Sequence, residues 1–463
     1  MKITHPSKEA HLDPEQLATQ AEKVLRGNDM GGWTKAAPDL YPHQWSWDSA
    51  FIAIGIAHYD TRRAAQEIRR LLDHQWKNGK VPHIVFNLDA PPESYFPGPE
   101  HWASAAADVP DAPPKPAYTS GLCQPPVHAI AVRRIMEVAE RRGADIPEAR
   151  EFLREVYPKL FAWHRYLATY RDPEESGLVT IYHPWESGTD NSPRWYAALQ
   201  RVEVGDMPEY KRLDLQHVAD PSERPVQDIY DRFIWLVELI KRAGCDEATV
   251  YDTSPFLVKD VLMSAILVRA NEALLEIGDL IGVPDKDRAT IRHWIERGRQ
   301  GLEECWDADL GLCLDYDLRD KSPLKTRTIA GFAPLVAGTT NPKLRQSLLQ
   351  TFDSALFAGH KDLHWPLLPS STSPEESRFH PRSYWRGPVW PVMNWLLWWS
   401  LERSGERERA GHLRRDGLAQ LASGNFGEYY EPFTGEPLGS DDQSWTAAVA
   451  LDWLAAEEVS ETL

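Results

Sequence analysis

Residues 126–170 read PVHAIAVRRIMEVAERRGADIPEAREFLREVYPKLFAWHRYLATY. Two helical segments lie in this stretch, Pro126–Arg142 stopped by Gly143 and Pro147–Tyr170, with only a short turn between them. The pattern recurs on both sides. Upstream, Asp13 before Pro14 is an N-cap with proline at the first helical position; Leu17, Ala21, Val24 and Leu25 form one apolar face, and Gly27 ends the segment. Arg62–Trp76 follows, stopped by Gly79. Downstream come Val226–Arg242 before Gly244, Pro255–Ile277 before Gly278, Asp285–Cys305, Pro342–Phe357, Gly387–Glu402, Glu406–Ala422 and Gln443–Leu454. About a dozen helices, often paired, with no alternating βαβ pattern, specify an all-α class. No repeat of roughly 30 to 45 residues is visible, so an (α/α)6 barrel, an inner ring of helices wrapped by an outer one, fits better than a solenoid.

The 463 residues could fill two or three domains or one large closed architecture. The ring favours one domain over 1–463, with long loops at about 82–124, 179–225 and 361–386 as a cap or lid over the site. Loops of that length in a compact domain tend to be functional, and each carries a dense set of aromatic, acidic or basic residues.

Composition removes several classes of function. Lys plus Arg number 51 against 69 Asp plus Glu, a net charge of −18, which opposes a nucleic-acid or anionic-lipid partner. The densest apolar run, Val389–Leu401, is broken by Pro391 and Asn394 and is too short to span a bilayer. The N-terminal MKITHPSKEAHLDPEQ has no secretory h-region, so the cytoplasm is the expected location. The four cysteines, Cys123, Cys245, Cys305 and Cys313, lack the close spacing of thiolate metal sites and read as reduced structural thiols; no metal or cofactor is implied. A homo-oligomer is compatible with the sequence, which does not give the oligomeric state. The 19 Trp, 16 Tyr and 13 Phe, many in polar loops, suit the C–H faces of sugars, although some must staple loops to the core.

Four stretches could carry chemistry. In Trp185-Glu186-Ser187-Gly188-Thr189-Asp190-Asn191-Ser192-Pro193-Arg194-Trp195, Asp190 could be a simple N-cap, but the density of acids, aromatics and cations exceeds what a cap requires. In Asn425-Phe426-Gly427-Glu428-Tyr429-Tyr430-Glu431-Pro432-Phe433-Thr434-Gly435, followed by Gln443-Ser444-Trp445, the acids could sit in a solvated turn. Tyr41-Pro42-His43-Gln44-Trp45-Ser46-Trp47-Asp48-Ser49 precedes the apolar run Phe51–Ala57, and Tyr384-Trp385-Arg386-Gly387-Pro388-Val389-Trp390-Pro391 precedes Val392–Leu401. Aromatics at such helix entries also serve as hydrophobic staples. Two carboxyl groups from distant motifs of a closed ring can flank one glycosidic bond, one protonated and one ionised.

These four motifs, in this order, resemble the bacterial branch of glycoside hydrolase family 63, which is similar to trehalase in fold, and within it the glucosylglycerate and mannosylglycerate hydrolases. The resemblance implies an (α/α)6 barrel and an inverting mechanism, with Asp190 as general acid and Glu428 as general base. It further implies that Tyr41, Trp45, Trp47, Asp48, Gln124, Trp385 and Arg386 hold the sugar, and that Arg224, Tyr230, Tyr384 and Gln443 hold a glycerate aglycone. The partner so implied is a small glycoside with a carboxylate aglycone. Glu186 is expected to support Asp190, and Glu431 lies three residues past the base. Arg224 has a competing reading, a surface pair with Glu223 or Asp228. Two other functions compete: a trehalase-like hydrolase of a neutral α-glucoside, and a non-catalytic sugar-binding or epimerase-like toroid. The second does not need an acid and a base across one bond.

Overall fold

The computed structural model describes residues 13–38, 41–104, 110–112, 118–143, 146–216 and 220–456. The N-terminal segment 1–12, read above for a leader, and parts of the expected loops 82–124 and 179–225 lie outside them. The first helices are α1 (Pro14–Gly27), α2 (Ser46–Ala57), α3 (Thr61–Leu72), α4 (Pro99–Trp102), α5 (His128–Arg142) and α6 (Ile146–Tyr170). Then come α7 (Tyr196–Gln200), α8 (Gln227–Arg242), α9 (Glu247–Thr253), α10 (Val261–Ile281) and α11 (Asp285–Glu304). The last are α12 (Ala333–Val336), α13 (Pro342–Phe352), α14 (Pro391–Arg403), α15 (Arg407–Leu421) and α16 (Ser444–Ala455).

Six of these close an inner ring: α2 packs on α5, α5 on α10, α10 on α12, α12 on α14, α14 on α16, and α16 back on α2. Their sequences explain the placement. Every residue of α2, SWDSAFIAIGIA, is buried, and so is α14 from Pro391 to Leu401; helices apolar all round belong inside. The outer ring, α1, α3, α6, α11, α13 and α15, is amphipathic. In α3, for example, Ala64, Ala65, Ile68, Leu71 and Leu72 face inward while the basic residues Arg62 and Arg69 face out into ion pairs with Glu148 and Glu155. Gly55 sits where α2 meets α16, and a Cβ there would lie 2.4 Å from the Ala448 Cα. The two inner helices approach that closely because one side chain is missing. The architecture is the (α/α)6 barrel. Among the described residues no helix is long and apolar enough to cross a membrane.

Several helix ends differ from the sequence reading. The helix expected over Pro255–Ile277 begins at Val261, because Val258–Lys259 pairs as a strand with Thr180–Ile181 and Asp260 caps the helix through Met263 N. It runs past Gly278, whose Cβ would press on Val283 at 2.8 Å, and stops at Gly282, which takes the left-handed conformation. The helix expected from Phe51 starts at Ser46, so Trp47 and Asp48 lie in its first turn. The helix expected to reach Phe357 ends at Phe352. The short inner helix α12 was not expected from sequence at all.

Candidate active site

The acid loop, residues 183–195, follows strand Thr180–Ile181 and is locked from three sides. Trp185 N donates to His183 Nδ1 at 3.0 Å, so His183 carries its proton on Nε2 and donates to Phe233 O at 2.9 Å. Arg194 reaches Thr189 Oγ1 at 3.0 Å, Asp260 at 2.8 Å and Asp315 at 2.7 Å, tying the loop to the start of α10. Gly188, at φ +71°, lays the loop flat on Trp47: a Cβ would come within 2.6 Å of the indole. Behind the loop, Glu186 takes a bidentate bond from Arg171 at 2.7 and 2.8 Å and the backbone N–H groups of Tyr182 and Cys123. Burial alone would push the Glu186 carboxyl up, but Arg171 and those donors hold it down, at about 2. The expectation that Glu186 supports Asp190 is thus corrected in one respect: its hydrogen bonds go to Arg171 and to the segments on either side, and it acts on the loop rather than on the Asp190 carboxyl.

Asp190 faces a cavity of about 110 Å³ and is otherwise enclosed by protein. Burial raises its carboxyl to about 7, with the Glu428 carboxylate adding to the rise and Arg224 opposing it. It is a neutral acid at a pH where an ordinary aspartate is ionised.

Glu428 stands in the same cavity, carried by the turn before strand Tyr429–Tyr430, which pairs with Pro437–Leu438. Its Oε1 accepts from Tyr41 Oη at 2.7 Å and Tyr384 Oη at 3.2 Å; its Oε2 accepts from Ser440 N at 3.2 Å and lies 3.6 Å from Arg224 Nη2. Donors surround it on every side. Glu431, three residues on, points away and accepts from Phe433 N and Thr434 Oγ1, holding its own turn.

A third carboxyl, Asp48, lines the cavity from the first turn of α2, and burial with Glu428 and Asp190 nearby holds it well above the usual carboxylate range. Gln124 lines the wall and accepts Trp47 N at 3.3 Å. Trp45 contacts both Tyr41 and Tyr95 edge-to-face along one side, and Trp445 meets Trp47 edge-on. Arg224 is buried, covers the Tyr384 ring at 4.7 Å and is the only lysine or arginine among the described residues lining the cavity. The surface pairing weighed for it does not form: Glu223 is bound by Arg382 and Asp228 by Arg232. Tyr230 lines the wall beside Trp185, 6.2 Å away between ring centres.

The structure therefore brings Tyr41, Trp45, Trp47, Asp48, Gln124, Asp190, Arg224, Tyr230, Tyr384 and Glu428 into one cavity. Trp385, Arg386 and Gln443 do not line it. Trp385 is stacked on Trp390 at 3.8 Å and fixes the turn through its N–H to Asn191 Oδ1. Gln443 accepts from Ser440 Oγ at 2.7 Å at the start of α16, and Arg386 lies outside with Arg378 and Tyr196 for neighbours. Sequence reasoning did not single out His83, Tyr95, Asp214 or Trp445 as site residues, although all four line the cavity. Trp445 lies in a quoted motif, and Tyr95, His83 and Asp214 lie in the long loops already marked, but no local pattern separates His83 or Asp214 from their neighbours there. Larger hollows exist, such as one of about 470 Å³ between Phe352–Asp353 and Gly405–Leu413, but that one has no buried carboxyl pair. Among the described residues no group of three or more His, Cys, Asp or Glu is placed to hold a metal ion.

Comparison with known proteins agrees with this fold. A family model, the mannosylglycerate hydrolase MGH1-like glycoside hydrolase domain, matches residues 41–446, a span holding every residue of the cavity. The chain is 48% identical to the glucosylglycerate hydrolase of Mycolicibacterium hassiacum, over 95% of this chain and 98% of that one. It is 43% identical to the mannosylglycerate hydrolase of Thermus thermophilus, over 94% and 99%. A crystal structure of a family 63 mannosylglycerate hydrolase from Thermus thermophilus, in complex with Tris and D-glycerate, superposes with a TM-score of 0.85 at 42% identity, covering 94% of this chain and 99% of that chain. With the ring, the paired carboxyl groups and these relatives in agreement, the chain belongs to the MGH1-like glycoside hydrolases of family 63 and is a glycoside hydrolase.

Proposed function

We propose that the protein hydrolyses the α-glycosidic bond of a hexosylglycerate, glucosylglycerate or mannosylglycerate, with inversion at the anomeric carbon. The observation that carries this reading is the pairing in one cavity of a carboxyl raised to about 7, Asp190, with a carboxylate ringed by donors, Glu428. Asp190 gives its proton to the glycosidic oxygen as the C1–O bond breaks. Glu428 takes a proton from the water whose oxygen bonds to C1 from the opposite face. The sugar is held by Tyr41, Trp45, Trp47, Asp48 and Gln124. Arg224 pairs with the glycerate carboxylate, assisted by the hydroxyls of Tyr230 and Tyr384; a guanidinium offers a carboxylate two parallel donors where an ammonium offers a point charge.

Two relatives named for glycerate substrates support the acidic aglycone, as does a buried cation among four carboxyl groups. A trehalase-like reaction on a neutral sugar gives Arg224 nothing to bind. We read the chain as one catalytic unit whose loops at about 82–124, 179–225 and 361–386 cover the site. The absence of disulfides among its four cysteines suits the cytoplasm.

The test is to incubate the protein with glucosylglycerate, mannosylglycerate, glucosylglycerol and trehalose, following released hexose by NMR. The β-anomer should appear first, and only from the glycerate compounds at a useful rate. Arg224→Lys should lower kcat/KM on the glycerate substrate by roughly 10- to 1,000-fold, the scale of losing charge-assisted bonds to a buried group, and spare glucosylglycerol. Equal losses on both would remove the carboxylate role from Arg224.

A further inference from the structure

Arg224 occupies two positions of consequence at once. Its Nη2 lies 3.6 Å from Glu428 Oε2 and 3.5 Å from Tyr41 Oη, while its Nε is buried with no acceptor. The first contact places a cation against the general base; the second leaves a donor waiting for an anion. The other ionisable groups facing this pair come from separate segments: Asp48 on α2, Asp190 in the acid loop, and Tyr41, Tyr384 and Tyr429. Glu223, next to Arg224 in the chain, is bound to Arg382. His83, also in the wall, is held neutral by burial, at about 3. Arg224 therefore carries the positive charge of the cavity alone among the described residues.

A cation within 4 Å stabilises a carboxylate and makes it a poorer proton acceptor. Both Glu428 oxygens are engaged, Oε1 by Tyr41 and Tyr384 and Oε2 by Ser440 and Arg224, and an acceptor position on Oε2 opens when the cation has another anion to bind. We propose that the aglycone carboxylate takes the guanidinium of Arg224 away from Glu428, so that an acidic aglycone releases the base to act on water as well as filling its own subsite. The proposal rests on the hexosylglycerate reading above. It makes selectivity a matter of rate: a neutral glycoside can enter the cavity and still meet a restrained base. The same exchange removes a cation from beside Asp190, which keeps the acid protonated to higher pH.

The exchange can be separated from cleavage. With α-D-glucosyl or α-D-mannosyl fluoride the leaving group is one atom and the aglycone space stays open. The C1–F bond breaks to release fluoride, water bonds to C1, and Glu428 takes the proton. Free D-glycerate, which is not consumed, should then act as an activator. With the unaltered protein, saturating D-glycerate should raise kcat on the fluoride by about three- to tenfold, whereas glycerol should not. Arg224→Met should lose the response to D-glycerate, whatever its own rate on the fluoride. If D-glycerate binds, by tryptophan fluorescence titration, and kcat is unchanged or falls, the inference is overturned while the hexosylglycerate reading stands. If D-glycerate does not bind, or binds Arg224→Met equally well, that reading fails and the inference with it. A folded Arg224→Met, checked by circular dichroism, that still responds to D-glycerate also overturns it. The comparison of glycerate with glycerol on the unaltered protein decides the matter even if the variant does not fold.

Discussion

The Asn191 carboxamide oxygen accepts the backbone N–H of Trp385 at 2.9 Å. Asn191 follows Asp190 directly, and Trp385 follows Tyr384, whose hydroxyl donates to Glu428 at 3.2 Å. A buried hydrogen bond outside the cavity lining thus ties the segment bearing Asp190 to the one that steadies Glu428. Asn191→Ala leaves the Trp385 N–H unpaired and frees the two turns from each other. Turnover should fall by about 10- to 100-fold with KM changing little, because spacing in the transition state is what the bond maintains. A normal kcat in this variant would show that the turns are held elsewhere.

Asp190→Ala and Glu428→Ala should each remove measurable hydrolysis from a folded protein, since the proposed roles have both groups moving protons at the reacting centre. Glu431→Ala should keep most activity and lose some thermal stability, because its carboxylate holds only the Phe433–Thr434 turn. Steady-state rates on the glycerate substrates, with melting curves, distinguish the three. An inactive Glu431 variant beside an active Glu428 variant would reverse the assignment of the base.

The raised Asp190 carboxyl predicts a pH profile and a stability effect. The acid works protonated, so kcat/KM should decline as pH rises through about 7. Its pKa is higher folded than unfolded, so its stabilising contribution is complete below about 4, the ordinary aspartate range, and is lost as pH rises through about 7. Asp190→Asn should therefore melt above the parent protein at pH 8, with the difference disappearing towards pH 4. An identical melting difference at both pH values would show that burial does not raise this carboxyl.

Phe96 stacks on Tyr210 at 5.3 Å with ring planes 8° apart, and Tyr230 Oη lies 3.5 Å from Phe96 O. The two long loops thus meet over the cavity beside Tyr95 and Asp214. Hydrogen exchange across residues 92–102 and 205–216 should slow when substrate is bound to Asp190→Ala. Unchanged exchange in both segments would make them a fixed wall.

The paired helices and the two runs that bring Asp190 and Glu428 into the cavity were legible because their signals are local. A cap such as Asp13, a stop such as Gly143 and a dense run such as residues 185–195 all declare themselves within a dozen residues. What escaped depends on distant partners. Val258–Lys259 reads as helix until Thr180–Ile181 pairs with it. Gly278 reads as a stop, yet its missing side chain makes room for Val283. Arg194 adds to the density of the 185–195 run, but its charge is taken up by Asp260 and Asp315, 66 and 121 residues away. Arg386 shares a motif with Tyr384 and still falls outside the cavity, because the 384–386 turn sends successive side chains in different directions. His83 and Asp214 entered the wall only through the folding of long loops.

The closed inner ring has an electrical consequence. Four of its six helices begin beside a residue of the cavity wall: α2 at Trp47 and Asp48, α5 after Gln124, α14 after Tyr384 and α16 at Trp445. A helix start carries roughly half a positive charge from its aligned peptide dipoles. Several such ends converge on the floor of a pocket holding four carboxyl groups, in a chain whose net charge is −18. The backbone itself thus supplies a standing positive field where side chains supply one arginine. For the anionic substrate proposed above, these helix starts offset part of the repulsion of an acidic chain, and a field built from peptide groups cannot be titrated away.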